Sequence, residues 1–361
     1  MKYEQRKMKR ITGNSNSLKS LDLSRGFGFI LHPLHFILRQ QVYRAIGLFL
    51  LGILAVFSVS ACSDRIHQNV ATSLDVSSPT AYRTVKHTLG EVRVPLHPQR
   101  IAALGNVPLE AAIALGFKPV GVATWGGHGQ ISGPPPYIKG EGIEDIENIG
   151  QEGQPNLEKL LALKPDLILG ESYYNKIYNQ LQQIAPTVLH EWTPSWKPLF
   201  RSYAEALGKT TEAEKIISDY DRRIAQFKQQ MGDRLKLTTV SVIQFEPGQV
   251  RLYMHDSYNG RILQNAGVPR PPSQDKEKWT ELISIERIPD ADGDVIFVAQ
   301  AGQKEALYQQ FSNNPMWQQL RAVKSGRVYE ADFDYWMGGG GPISINLVLD
   351  DLFRYLVESR G

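Results

Sequence analysis

The side chains of this sequence best placed to contact a small molecule are aromatic and cationic residues that follow short apolar runs. Trp125 and His128 follow "VGVAT", Tyr173 and Tyr174 follow "DLILG", and Trp192 and Trp196 follow "TVLH". Arg251 and Tyr253 lie in "QVRLYM", Trp279 closes the polar loop "SQDKEK", and Tyr335 and Trp336 follow "GRVYEADF". Tryptophan and tyrosine offer flat apolar contact with one polar handle. Arginine offers a fixed fork of donors to oxygen-rich groups. Any one of these residues could merely cover a core edge, but a group converging on one cleft reads as a ligand site.

Catalytic patterns are missing by comparison. The sequence has no GxSxG elbow, no GxxxxGK[ST] loop and no HExxH pair. The run "GGGG" at 338–341 has no following lysine and precedes Pro342, so it reads as a turn that lets backbone approach a ligand. His97, His128, His190 and His255 are scattered, and no two carboxylates form a recognisable acid/base pair. The expectation is a binding protein with no catalytic residues, no cofactor and no metal held by its own side chains.

Cys62 is the only cysteine in 361 residues, which excludes an intrachain disulfide and CxxC metal clusters. It stands at the end of a seventeen-residue uncharged run, Ala45–Ala61, preceded by Arg39 and Arg44 and closed by the small residues Val59-Ser60-Ala61. The run is short for a spanning helix and has the order of a secretory signal. Its end resembles the lipobox of bacterial lipoproteins, in which the cysteine carries lipid on its sulfur and begins the mature chain. The other reading is an uncleaved anchor helix with an incidental cysteine. The stretch before it exceeds a usual signal n-region and reads as an extended gene start or a flexible cytoplasmic leader. Residues 1–61 are therefore set apart as leader and signal peptide, and 62–82 as a flexible tether. The formal net charge is +3 and part of that excess lies in the leader, so nothing supports a nucleic-acid partner.

The elements that must position the aromatic residues alternate. "HTLGEVRVP" predicts a hairpin over 83–95. "RIAALG", "KPVGVAT", "DLILG" and "TVLHEW" read as strands, separated by helices in "VPLEAAIALGF", "NLEKLLALKP" and "IYNQLQQIAP". This is the pattern of an α/β lobe with a largely parallel sheet, over 83–197. A helical region follows over 198–235. "PLFRSYAEALGK" ends at Gly208, and Thr211 with Glu214 fits a capping box opening a helix of about 20 residues, long enough to pass between two lobes. "LTTVSVIQFE", "QVRLYM", "DVIFVAQ" and "GRVYEAD" then read as strands, with helices in "GRILQNAG", "LYQQFSNNPMWQQL" and "SINLVLDDLFRYLVES", giving a second α/β lobe over 236–361.

Three stretches carry a family resemblance: "HPQRIAALGNVPLEAAIALGFKPVGVAT", "IGQEGQPNLEKLLALKPDLILGESYYNKIYNQLQQIAPTV" and "NPMWQQLRAVKSGRVYEAD". Together they resemble the helix-linked (class III) periplasmic binding proteins of ABC importers. The stretch "VSVIQFEPGQVRLYMHDSYNGRILQNAGVPRPP" is most similar to the ferric-siderophore and ferric-citrate branch. The resemblance implies two Rossmann-like α/β lobes bridged by one long helix, with the ligand between them. It implies a monomeric substrate-binding lipoprotein on the periplasmic or extracytoplasmic face, anchored through Cys62. The protein would deliver a ferric siderophore or ferric citrate complex to a permease and its ATPase. Iron would be held by the chelator.

The ligand-binding candidates are Trp125, Tyr174, Arg251, Tyr253, Trp279, Tyr335 and Trp336, chosen from their places at strand ends and loops. Of these, Tyr174 and the Tyr335-Trp336 pair match family positions, and the resemblance implies that Glu286 is the second-lobe carboxylate that docks on permease arginines. The sequence departs from the family pattern at three places. Glu152 stands where the hydroxamate-binding branch has arginine, so either the chelator contact differs or another cation such as Arg251 serves. Gln244 replaces an arginine of several siderophore binders. Asn179 replaces the first-lobe docking carboxylate, so that contact is either lost or moved, for example to Glu171 or Glu110. The alternatives are a haem or cobalamin carrier of the same fold, with Tyr174 or His128 as an axial ligand to haem, and an anchored enzyme acting on ferric chelates.

Overall fold

The structure, a computed structural model, describes residues 81–125, 133–140, 142–301 and 306–358. The expected signal peptide, Cys62, the tether up to residue 80 and His128 lie outside the described residues.

Two sheets organise the described chain. The first has the order β6-β5-β4-β3-β7-β8. Its strands are β3 (Ile101–Leu104), β4 (Gly121–Thr124), β5 (Glu147–Gln151), β6 (Gln154–Pro155), β7 (Leu167–Glu171) and β8 (Thr187–His190). All neighbours pair in parallel except β6, which turns back antiparallel on β5. Every residue of β3, β4 and β7 is buried. A parallel sheet covered on both faces demands this, which is why these strands read as unbroken apolar runs. The hairpin β1 (Tyr82–His87) and β2 (Gly90–Pro95) forms as expected, and the Thr88 N–H donates to the Leu189 carbonyl at the end of β8, 2.8 Å away.

The second sheet has the order β11-β10-β9-β12-β13. Its core is parallel: β9 (Val240–Glu246), β12 (Val295–Gln300) and β13 (Val328–Ala331). The strands β10 (Gln249–Tyr253) and β11 (Thr280–Ile283) add an antiparallel edge. The four-residue β11 and the short β6 were not expected from sequence.

One helical passage joins the sheets. Helix α4 (Trp196–Leu207) ends at Gly208, whose φ of 71° is the left-handed conformation that glycine tolerates. Helix α5 (Thr210–Met231) follows, 22 residues and about 33 Å long. It buries a stripe of Ala213, Ile217, Tyr220, Ile224, Phe227 and Met231 at intervals of three and four. The expected capping box at Thr211 and Glu214 is not formed. The helix begins two residues earlier, Lys209 occupies the N-cap position, and Glu214 instead forms a two-pronged ion pair with Arg201 of α4 at 2.5 and 2.9 Å.

A second correction concerns "LYQQFSNNPMWQQL", expected as one helix. It is broken into Ala306–Ser312 and Pro315–Gln319, because Asn314 caps the second piece, accepting from the Met316 N–H, and Pro315 occupies its first position. The last helices are α10 (Phe333–Met337) and α11 (Pro342–Leu352), where the numbering counts α1 (Asn106–Ala114), α2 (Leu157–Ala162), α3 (Tyr178–Gln182), α6 (Tyr258–Ala266), α7 and α8 (the two pieces just named) and α9 (Arg321–Lys324).

The glycine run 338–341 passes against first-lobe side chains, those of Trp125, Val107 and Glu110. A Cβ at Gly338 would stand 2.5 Å from the Trp125 ring, and one at Gly341 would stand 2.6 Å from the Glu110 Cβ. Glycine is required there because backbone of the second lobe touches side chains of the first. Glu110, fully buried, fastens the same junction. Its Oε2 accepts from the Ile343 and Ser344 N–H groups, at 2.9 and 2.8 Å, and from the Ser344 hydroxyl. These are orphan donors of the first turn of α11, and the Tyr137 hydroxyl donates to Oε1 at 2.9 Å.

Candidate functional site

A cleft of about 280 Å³ opens at the carboxyl ends of the parallel strands, where both sheets face each other. Such strand ends leave loop side chains unpaired and converging. After β3, Gly105 leads directly into Asn106. The Asn106 side-chain amide donates to the Gly338 carbonyl at 3.0 Å and to the Trp125 carbonyl at 3.4 Å, so the first helix turn fixes both the loop after β4 and the glycine run. After β4 comes Trp125, stacked on Phe333 with ring centres 5.7 Å apart. After β8 comes Trp192, edge-on to Trp279 of the second lobe at 5.0 Å. All three indoles line the cleft and are partly exposed.

The floor is acidic. Glu152 follows β5, Glu171 ends β7, and Tyr173 lies beside both. The Tyr173 hydroxyl donates to Glu152 Oε1. Burial raises the Glu152 carboxyl above its ordinary range, against the opposing effect of the Tyr173 hydroxyl and the Asn106 backbone N–H. Glu171 is 1% exposed, and burial, with the neighbouring Glu152 charge, pushes it up to about 8 against the opposing effect of the Tyr173 hydroxyl. Its Oε1 has no hydrogen-bond partner among the described residues. No lysine or arginine is among the described residues that line the cleft.

Of the residues expected to bind ligand, the structure brings Trp125 and Trp279 to the cleft. Tyr174 lies behind Tyr173, 1% exposed, with its hydroxyl accepting from the Gly153 N–H at 2.9 Å. Tyr253 is buried and donates to Gln244 Oε1 at 2.6 Å. Arg251 does not line the cleft; its Nε pairs with the buried Glu246 at 2.7 Å, so the cation expected to stand in for the missing arginine is engaged elsewhere. Trp336 is fully buried against Phe297, with ring centres 4.6 Å apart. Its indole N–H and the Tyr335 hydroxyl both donate to Asp351 Oδ2 at 2.8 Å. The chain segment that enters the cleft there is the next one, Met337–Gly340.

Glu286 is exposed at the start of a 3-10 turn, Ile285–Ala291. Asn179 is exposed. Glu171 and Glu110 are buried at 1% and 0% exposure, which corrects the expectation that either could present a docking carboxylate to a permease. The cleft also gathers residues that sequence reasoning did not select: Asn106, Tyr258, Met337 and the two carboxylates. Among the described residues, no three histidine, cysteine, aspartate or glutamate side chains form a metal-binding group.

The comparisons with known proteins agree with this architecture. The probable siderophore-binding lipoprotein YfiY of Bacillus subtilis is 36% identical over 331 residues, 87% of this chain and 99% of that protein. The Fe(3+)-citrate-binding protein YfmC of the same organism is 28% identical, over 83% of this chain and 93% of its own. Among solved structures, Staphylococcus aureus SirA complexed with staphyloferrin B superposes with a TM-score of 0.67 at 30% identity, covering 76% of this chain and 98% of that one. The sequence pattern of one family, described as periplasmic binding protein, matches residues 101–335. With its two α/β lobes, single joining helix and cleft between them, this chain belongs to the periplasmic binding protein family.

Proposed function

We propose that this chain is the substrate-binding lipoprotein of an ABC importer, and that it captures a ferric siderophore or ferric citrate complex in the cleft between its lobes. The observation that carries the reading is the cleft itself. Three indoles from both lobes wall a space at the strand ends. This suits a bulky chelate that presents greasy spacers and keeps its own iron ligands. The names of the relatives, siderophore-binding and ferric-citrate-binding proteins, support the same ligand class. In this reading the protein carries no catalytic group, works as a monomer, and passes its ligand to a permease–ATPase complex.

Cys62 is the lipid anchor and Glu286 a contact to the permease in this proposal. Complementary surface charge of that kind steers encounter and fixes register. Cells depending on this protein for iron test both roles. Cys62→Ser releases the protein from the membrane fraction, and Glu286→Arg lowers uptake while leaving chelate binding intact. Membrane retention of the first, or wild-type uptake by the second, overturns the corresponding assignment. The ligand class is tested by the absorption spectrum of the loaded protein: a broad, weak visible band is expected, and a Soret band would show haem instead.

A further inference from the structure

The charge of the cleft says more about its ligand than its shape does. Resting on the ferric-chelate reading above, we propose that the cleft selects a chelate bearing a protonated amine, seated between the indoles of Trp125, Trp192 and Trp279 and the carboxylates of Glu152 and Glu171. An anionic chelate would call for cationic side chains, yet the described lining holds none, and Arg251 lies outside it, paired with Glu246. What the lining offers is aromatic faces, which attract cations through the ring quadrupole, and carboxylates, which accept charge-assisted hydrogen bonds.

Glu171 carries the argument beyond mere acidity. It is 1% exposed, lines the cleft, and its Oε1 lacks a partner among the described residues. Buried polar atoms in folded proteins are almost always satisfied, so an orphaned acceptor in a binding cleft marks the place of a donor supplied by ligand. The titratable groups that face Glu171 are Glu152, Tyr173, Tyr174 and Tyr203, none of them cationic. Burial and Glu152 keep Glu171 protonated in the empty cleft near neutral pH. An arriving ammonium would draw the acid into its charged form and supply the missing donor. An anionic group would meet the same carboxylates with repulsion. Glu152, beside it on the cleft floor, thus becomes a determinant of charge preference.

The test uses the full-length protein and two probes with the same iron shell. One is the ferric complex of a linear trihydroxamate ending in a free primary amine, and the other is that complex N-acetylated at the amine. Titration by quenching of tryptophan fluorescence at neutral pH is expected to show the amine form binding about 10- to 100-fold more tightly. In Glu171→Gln, and separately in Glu152→Gln, the gap should shrink to a few-fold, through weaker binding of the amine form. A titration by the acetylated complex that still saturates shows that the variants keep a folded cleft. Equal or tighter binding of the acetylated form, or a gap that persists in both variants, overturns the proposal. If neither trihydroxamate binds but ferric citrate or a ferric catecholate does, the charge preference is wrong and the ferric-chelate reading stands. If no ferric chelate binds, both fall.

Discussion

Glu171 is the residue through which the site couples to folding. Its carboxyl is held at about 8 in the folded chain by burial and by Glu152, with Tyr173, Tyr174 and Tyr203 as its other titratable neighbours. An unfolded chain would release that proton near 4.3. The folded state therefore binds more protons between these values. The stability this contributes is fully present below about pH 4, and it is lost as pH rises through about 8. Glu171→Gln removes the titration. Its melting temperature should match or trail the wild type at pH 5 and exceed it by several degrees at pH 9; a difference that does not change with pH would contradict the assignment. The residue scale also shows where sequence reading stops. Trp125 and Trp279 were legible because each directly follows a strand or a polar loop. Tyr173 and Tyr174 are neighbours, and sequence cannot say which faces the cleft. The 3-10 turn Ser172–Ile177 decides it by directing Tyr174 inward to the Gly153 N–H. Trp336 failed for a similar reason. The short helix Phe333–Met337 turns its indole onto Phe297 and Asp351 and hands the cleft to the glycines that follow.

At the scale of elements, the junction between Glu110 and helix α11 governs how the lobes hold together. One buried carboxylate satisfies two backbone N–H groups and a hydroxyl of the opposite lobe, and the glycines before the helix permit the approach. Glu110→Ala would strand those donors in a buried setting. It should lower the unfolding free energy by about 2–4 kcal/mol, read from the urea midpoint with the slope unchanged. A loss below about 0.5 kcal/mol would show that the contact does not matter. The buried parallel strands and the joining helix could be read from sequence because burial on both faces writes continuous apolar runs, and one-sided burial writes a stripe. The edge strand β11 could not. "TELI" is short and mostly uncovered, and it pairs only because β10 presents a free edge at Val250–Tyr253. The capping box at Thr211 and Glu214 was a valid local pattern overridden by the Arg201 ion pair across two helices. Glu110 gave no sign of its role, since its partners in α11 lie more than 230 positions away.

For the molecule as a whole, two sheets share one 22-residue helical connection, and the cleft forms where their strand ends meet. Trp192 meets Trp279 and Asn106 meets the Gly338 carbonyl across it, and Arg223 ties the joining helix α5 to Asn346 and Asp350 of α11. A single stiff passage and these bridges favour small adjustments over wide hinge opening. The ligand must therefore meet indoles already in place. Intrinsic fluorescence is the direct measurement, because three of the six tryptophans line the cleft. The protein should be titrated with ferric hydroxamate, ferric catecholate, ferric citrate, haem and cobalamin. The account predicts saturable quenching by at least one ferric chelate, with one bound per chain, and a clear drop in that quenching in Trp279→Phe, with Trp125 and Trp192 still reporting. Quenching by haem or cobalamin alone, or a ferric-chelate response that Trp279→Phe leaves untouched, would contradict it.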